Sequence, residues 1–329
     1  MSKRFAFYLL FLALFQFGCE DTEIINPTAT STFGIRHDRN LSDYEAAVTT
    51  PGDHPDYAAV VMFNYTLDGD RNSEYIGSGT LIAPQWILTA GHNFYVAEEQ
   101  KTPAKPSDIT VYVGNDPNNP NQTFEVDQLI FHPTWLQDNE DFVHANDLCL
   151  VKLKTPVTSL TPVPLFTGSA EPVGSTVWFC GFGDYSSLSG QDANAYSKKH
   201  AIENILDRKS DGIMTQINGV SYSGGLLAFD FDSPDESTNS LGDNEVGEDE
   251  ALLGPGSSSA SPLDLEGTTV QGDSGGPLFV KDGSSWKLAG VLSGGVPEPF
   301  AGSKDSSYGD ISVFIRVSSQ MSWINSVVK

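Results

Sequence analysis

The run Gln271-Gly272-Asp273-Ser274-Gly275-Gly276-Pro277 sets one serine and one aspartate in a glycine-rich turn between two apolar segments. Glycine lets a backbone approach a ligand closely and adopt dihedrals that other residues resist. The amides of Gly272 and Ser274 could therefore both point at one oxyanion, with Ser274 as a candidate nucleophile. A serine hydroxyl is weak at its own pKa and needs a base, and the base needs something to orient it. His92 ends the β-prone run Trp86-Ile87-Leu88-Thr89-Ala90-Gly91, where a loop leaves a rigid strand and can hold an imidazole at a cleft. Asp147 stands at the mouth of the apolar run Leu148-Cys149-Leu150-Val151. Taken singly, the histidine reads as structural and the aspartate as a turn residue bonding its own backbone.

Positioning these three side chains requires strands, and the composition agrees. The chain has 329 residues, of which 39% are apolar, with 31 glycines and 19 prolines, as befits a loop-rich all-β protein. Short β-prone runs punctuated by turns continue throughout, for example 58–63, 78–83 and 86–89 across a Pro84-Gln85 turn. Helical period occurs only at the C-terminus, where Met321, Ile324 and Val328 fall on one face. A net charge of −25 argues against nucleic acid or anionic lipid as the main partner.

Of three cysteines, Cys149 and Cys180 lie in apolar runs and read as small core residues, with a disulfide between them as the alternative. Cys19 has a different setting. Lys3 and Arg4, an apolar run from Phe5 to Phe17 and then Gly18-Cys19 read as a secretory signal. The segment resembles a bacterial lipoprotein signal, which implies lipidation of Cys19; ordinary cleavage nearby and an uncleaved anchor are the other readings. Residues 20–33 are polar and threonine-rich, as in a tether.

Three motifs in order, Leu88-Thr89-Ala90-Gly91-His92, Asn146-Asp147-Leu148-Cys149-Leu150-Val151 and Gly272-Asp273-Ser274-Gly275-Gly276-Pro277, resemble those of the trypsin/chymotrypsin family of serine endopeptidases. The segments at Ile130-Phe131-His132-Pro133 and 317–324 resemble its flanks, so the likeness runs from about residue 58 to the end. It implies two six-stranded antiparallel β-barrels with a C-terminal helix. Residues 34–165 would form the first barrel and 166–329 the second, with an acidic insertion around 230–264. His92, Asp147 and Ser274 would be the catalytic triad, with the Gly272 and Ser274 amides as the oxyanion hole. Ser293 would support Asp147, and Thr268, Gly295 and Ser312 would shape the specificity pocket. Thr268, six positions before Ser274, replaces the aspartate of a trypsin-like pocket and favours small or uncharged side chains, unless Asp264 or Glu266 supplies charge.

Relatives commonly pair the aspartate preceding the nucleophile with a new N-terminal ammonium. Asp273 is present without the usual Ile-Val-Gly-Gly start. A buried carboxylate requires compensation, so its expected partner is the amine of Ile35 after a cut, or Arg36. Asn93 stands where the family has a cysteine beside the histidine.

No HExxH or cysteine-histidine spacing indicates zinc, and no cofactor is expected. Carboxylates in 229–236 and 247–250 could bind calcium through oxygen but lack EF-hand spacing, and a solvated loop is the reading preferred. The expected partner is a protein or peptide substrate, with a membrane engaged only through the N-terminal lipid and no nucleic acid. The expected location is the cell envelope after export, with a soluble form released by a cut near Ile35. The rival is a surface binding protein that keeps the fold without catalysis. An esterase with Gly-x-Ser-x-Gly fits poorly, because the glycines sit at other offsets and the triad order differs.

Overall fold

Strands dominate the architecture because β-branched and aromatic residues alternate in short runs between Gly, Pro, Asn and Asp turns. The structure is a computed structural model and describes residues 34–68, 73–97, 100, 102–137, 146–185, 198–242, 253–296 and 306–329. Cys19, residues 20–33, His144 and the acidic stretch 247–250 lie outside these described residues.

The first half is a closed barrel. Its strands are β1 (Val60–Tyr65), β2 (Tyr75–Ala83), β3 (Trp86–Thr89), β4 (Ile109–Val113), β5 (Gln122–Phe131) and β6 (Cys149–Leu153), hydrogen-bonded in the order β1-β2-β3-β6-β5-β4. Period-two patterning fills it: Ile109, Val111 and Val113 of β4 point inward while Thr110 is exposed. Phe63, Ile87, Leu88, Leu150 and Val151 complete a core with almost no solvent contact.

The second half is a seven-stranded sheet. It contains β7 (Thr176–Gly181), β8 (His200–Ile205), β9 (Arg208–Ile217), β10 (Val220–Asp230), β11 (Pro277–Asp282), β12 (Ser285–Val296) and β13 (Ile311–Arg316), in the order β8-β7-β11-β12-β13-β10-β9. The expected second six-stranded barrel does not close. The cause is the β9–β10 hairpin, whose turn residues Asn218 and Gly219 both take left-handed φ values, 51° and 81°. That turn matches the twist of the flanking strands. It lays β9 along the edge of β10, with Leu227 opposite Lys209 and Ala228 opposite Arg208. The edge that β8 would need is thus occupied. The end of β8 and the chain just beyond it reach β10 instead through single contacts, Asn204 Nδ2 to Asp230 O at 2.7 Å and Asp207 N–H to Ala228 O at 3.0 Å.

Among the described residues three short α-helices decorate the sheets: α1 (Leu41–Ala47), α2 (Pro133–Gln137) and α3 (Met321–Val327). The C-terminal helix seats Trp323 and Ile324 inward, and the Trp323 ring stands edge-on to His132 at 4.9 Å.

Two further expectations change. Cys149 and Cys180 are both buried and both free, so the disulfide alternative is excluded. The acidic segment 229–236 begins in β10 and is not a solvated loop at its start. Phe229, Asp230, Phe231 and Asp232 are all buried: Phe229 enters the second core and the Phe231 ring packs on Tyr308 at 4.6 Å, carrying their neighbours with them. Among the described residues no cluster of His, Cys, Asp or Glu has metal-holding geometry.

Candidate active site

Register brings the histidine and aspartate segments together. In the antiparallel β3–β6 pair Thr89 lies opposite Cys149, so the chain leaving β3 and the chain entering β6 share one end of the barrel. His92 follows Thr89 by three residues, and Asp147 precedes Cys149 by two. Between α2 and Asp147 the chain reverses at Asn146, which takes φ 47°, a left-handed value that asparagine tolerates. Its amide donates to Thr134 Oγ1 at 3.2 Å and its carbonyl oxygen accepts Gln320 Nε2 at 2.7 Å, fixing the direction in which Asp147 enters. Asn146 was not picked out by sequence reading, although an Asn directly before Asp is itself a turn signal.

Asp147 is fully buried and fully satisfied. Oδ1 accepts the His92 backbone N–H at 2.8 Å, while Oδ2 accepts His92 Nδ1 at 2.6 Å and Ser293 Oγ at 2.7 Å. A carboxylate only accepts, so Nδ1 carries the ring proton and Nε2 is left as the basic nitrogen. Ser293 reaches this carboxylate because it sits in a β-bulge: Leu292 pairs with Phe314 and Gly294 with Val313, leaving Ser293 out of register.

Ser274 lies on the turn that opens β11. Gly275 takes φ 83°, and a Cβ there would stand 2.0 Å from Thr89 Oγ1, so only glycine lets the turn seat against the end of β3. Ser274 O accepts Ser78 N at 2.8 Å and Asn93 Nδ2 at 2.9 Å, both from the first barrel. Among the described residues neither the Gly272 nor the Ser274 amide is engaged as a donor, so both remain available for an oxyanion. The structure therefore brings His92, Asp147, Ser293 and the Ser274 turn into one place.

The Trypsin family matches this chain over residues 51–222 and 250–324, spanning both halves and all the residues just described. The chain belongs to the trypsin family. It carries a trypsin-like serine protease domain, and its likeness extends to vertebrate proteases. Transmembrane protease serine 5 of Homo sapiens is 27% identical over 255 residues, covering 74% of this chain and 44% of that protein. Coagulation factor XII of Sus scrofa is 26% identical over 268 residues, covering 75% of this chain and 34% of that protein. The chain thus spans less than half the length of these relatives.

Within this trypsin-family framework Thr268 and Ser312, two of the residues expected to shape the specificity pocket, join Thr269 in a hydroxyl cluster. Thr268 Oγ1 and Thr269 Oγ1 each lie 3.0 Å from Ser312 Oγ, which also accepts Thr269 N–H at 3.2 Å. Thr268 and Ser312 are buried, whereas Gly295, opposite Ser312 across β12 and β13, is exposed. The nearby acids are committed elsewhere. Asp264 pairs with Arg39 at 2.5 Å, and Glu266 accepts Asp232 N–H at 2.8 Å and Leu263 N–H at 2.5 Å.

Asp273 differs from expectation. Arg36 is not its partner, since the guanidinium forms a salt bridge with Asp38 at 2.7 Å and donates to Leu263 O. Neutral donors hold the buried carboxylate instead: Gly183 N–H at 2.8 Å, Val270 N–H at 3.0 Å and Tyr185 Oη–H at 2.7 Å. Burial still outweighs them and pushes Asp273 up to about 7. His200 Nε2 stands 3.9 Å away on a ring that burial drives down to about 3, so the imidazole is neutral at neutral pH. The uncut chain at Gly34 and Ile35 packs beside this group. Ile35 bridges Gly267, Thr268 N–H donates to Gly34 O, and a Cβ on Gly34 would meet Val270 and Tyr185.

Proposed function

We propose that this chain is a serine endopeptidase in which Ser274 is the nucleophile, His92 the general base and Asp147 the residue that orients and stabilises the imidazolium. The observation that carries this reading is the buried Asp147 carboxylate on His92 Nδ1 at 2.6 Å, beside a turn that presents Ser274. Ser274 Oγ attacks the scissile carbonyl carbon as its proton passes to His92 Nε2, and the carbonyl electron pair moves onto oxygen. The Gly272 and Ser274 N–H groups receive that oxyanion, where one donor is worth about 2.7–4 kcal/mol. Collapse expels the amine with the proton from His92, and a water activated by the same nitrogen hydrolyses the acyl-enzyme.

The substrate class is protein or peptide, cleaved after small or uncharged side chains. The Thr268, Thr269 and Ser312 hydroxyls support this preference, because they are hydrogen-bonded to one another and none carries charge. The reading extends to export and a lipid on Cys19, supported by the basic and apolar run that ends at Gly18-Cys19.

A fluorophosphonate probe tests the nucleophile. The wild-type protein should be labelled and Ser274→Ala should not, and the same preparation should cleave library peptides after Ala, Ser, Thr or Val rather than Lys or Arg. A folded wild-type protein that resists labelling would overturn the reading in favour of a binding protein on the same fold.

A further inference from the structure

The base and the nucleophile come from different halves of the molecule, and a single side chain next to the base touches the nucleophile's own backbone. We propose that Asn93 is a positioning residue that locks the Ser274 carbonyl, and with it the nucleophile, onto the loop that carries His92. The inference rests on the assignment of Ser274 and His92 given above.

Asn93 follows His92 directly and is 2% exposed. Its amide has two N–H donors, and both are spent. One goes to Ser274 O at 2.9 Å and the other to Thr89 Oγ1 at 3.1 Å, while Oδ1 lies 3.5 Å from the Tyr65 hydroxyl. A side chain buried only to complete a core would be satisfied by the bond within its own barrel, to Thr89. The second donor instead crosses between the two halves and ends on the residue proposed to do the chemistry.

The surroundings are built for that crossing. Gly77 leaves the space in which the amide lies, since a Cβ there would stand 2.8–2.9 Å from Asn93 Oδ1, Cγ and Nδ2. Thr89 is held in turn, donating to Ser78 O at 2.7 Å. Ser78 supplies the other two ties: its N–H also donates to Ser274 O at 2.8 Å, and its Oγ donates to Gly272 O at 3.0 Å. Ser274 O therefore receives two hydrogen bonds, both from the first barrel and one of them from the histidine's neighbour.

A side-chain amide fits this spot. Two donors must point at two acceptors while an oxygen faces a hydroxyl, which an ionised aspartate, a serine and an aliphatic side chain cannot do. Holding the carbonyl of Ser274 fixes the backbone on one side of the carbon that bears Oγ. Misplacement of a reacting group by about 1 Å can cost roughly 100-fold in rate.

The test uses the mature chain with the substitutions Asn93→Ala and Thr89→Val, the latter preserving volume while removing the hydroxyl that anchors the amide. Three quantities are read: the second-order rate of fluorophosphonate labelling, kcat and KM on a chromogenic peptide, and Tm. The expected result for Asn93→Ala is labelling and kcat lowered about 10- to 100-fold with KM within about twofold. Thr89→Val should lower both to a smaller extent, and the double variant should fall no further than Asn93→Ala alone. Circular dichroism at the assay temperature establishes that each variant is folded. A folded Asn93→Ala, or a folded Thr89→Val if Asn93→Ala does not fold, that labels at the wild-type rate overturns the proposal. Absence of labelling in the wild type would instead strike the assignment of Ser274, and the clamp would fall with it.

Discussion

Asp273 sits without solvent directly before Ser274, the proposed nucleophile, and the donors it accepts decide how that turn is held. Two backbone amides and the Tyr185 hydroxyl form its hydrogen bonds, the last at 2.7 Å. A hydrogen bond to a charged group contributes about 1.5–3 kcal/mol. Tyr185→Phe removes one such donor and keeps the ring that covers Gly34. The variant is expected to lower Tm and to reduce kcat at least about tenfold with little change in KM, measured on a peptide substrate above pH 7, where Asp273 is ionised. Wild-type kcat in Tyr185→Phe would mean that the two amides alone hold the turn. Contiguity explains what was legible here: His92, Asp147 and Ser274 each sit inside a short motif, the first two share one barrel end through the β3–β6 register, and the Ser274 turn is tied to that barrel by Ser78 and Asn93. Tyr185 was not legible because its partner lies 88 residues away, and the Asn93 tie to Ser274 spans 181. Arg36 was a reasonable expectation from charge alone, but it turns to Asp38, a carboxylate two residues along the chain.

The β9–β10 hairpin is the element that separates this molecule from a pair of equal barrels. The closed first barrel follows from six short β-prone runs, but the fate of the second depends on which strand takes the free edge of β10. That choice is made at Asn218-Gly219, a pair whose preference for a two-residue hairpin turn is readable in the sequence once the flanking runs are seen as strands. The acidity downstream obscured it, because charged residues suggest a solvated insertion even where phenylalanines alternate inward. Gly219 has no atom within 4 Å of where a Cβ would be placed, so Gly219→Ala isolates the backbone preference. A left-handed conformation costs a non-glycine residue about 1–2 kcal/mol. The variant should lose that much stability in urea or thermal unfolding while its kcat per folded molecule stays at the wild-type value. Equal losses of stability and of activity per folded molecule would show that the hairpin reaches the catalytic end.

Across the whole molecule the unusual quantity is the negative charge placed inside. The net charge of −25 reads in the sequence as a surface property, yet Asp207, Asp230, Asp232, Glu266 and Asp273 are all buried. Burial is the largest cause of each upward shift, taking Asp232 to about 9 and Glu266 to about 7 and raising the neighbouring Asp207 and Asp230 together. Repulsion from Asp230 and Glu266 adds to the shift of Asp232, whose Oδ1 has no hydrogen-bond partner among the described residues. In the unfolded chain these groups titrate near the ordinary carboxylate value of about 4. Between about pH 4 and about pH 9 the native state therefore binds protons that the unfolded state has released, so stability falls as pH rises. The contribution is complete below the unfolded value and is lost on passing through the folded one. Thermal unfolding should accordingly show Tm declining from pH 5 to pH 9. Surface repulsion gives a decline of the same sign, so the buried group must be isolated. Asp232→Asn removes one charge from the interior and should raise Tm at pH 9 with a smaller change at pH 5, flattening the profile. Asp68→Asn removes the same charge from an exposed position and should leave the slope nearly unchanged. Parallel profiles for wild type and Asp232→Asn would assign the alkaline loss to the surface rather than to the buried carboxylates.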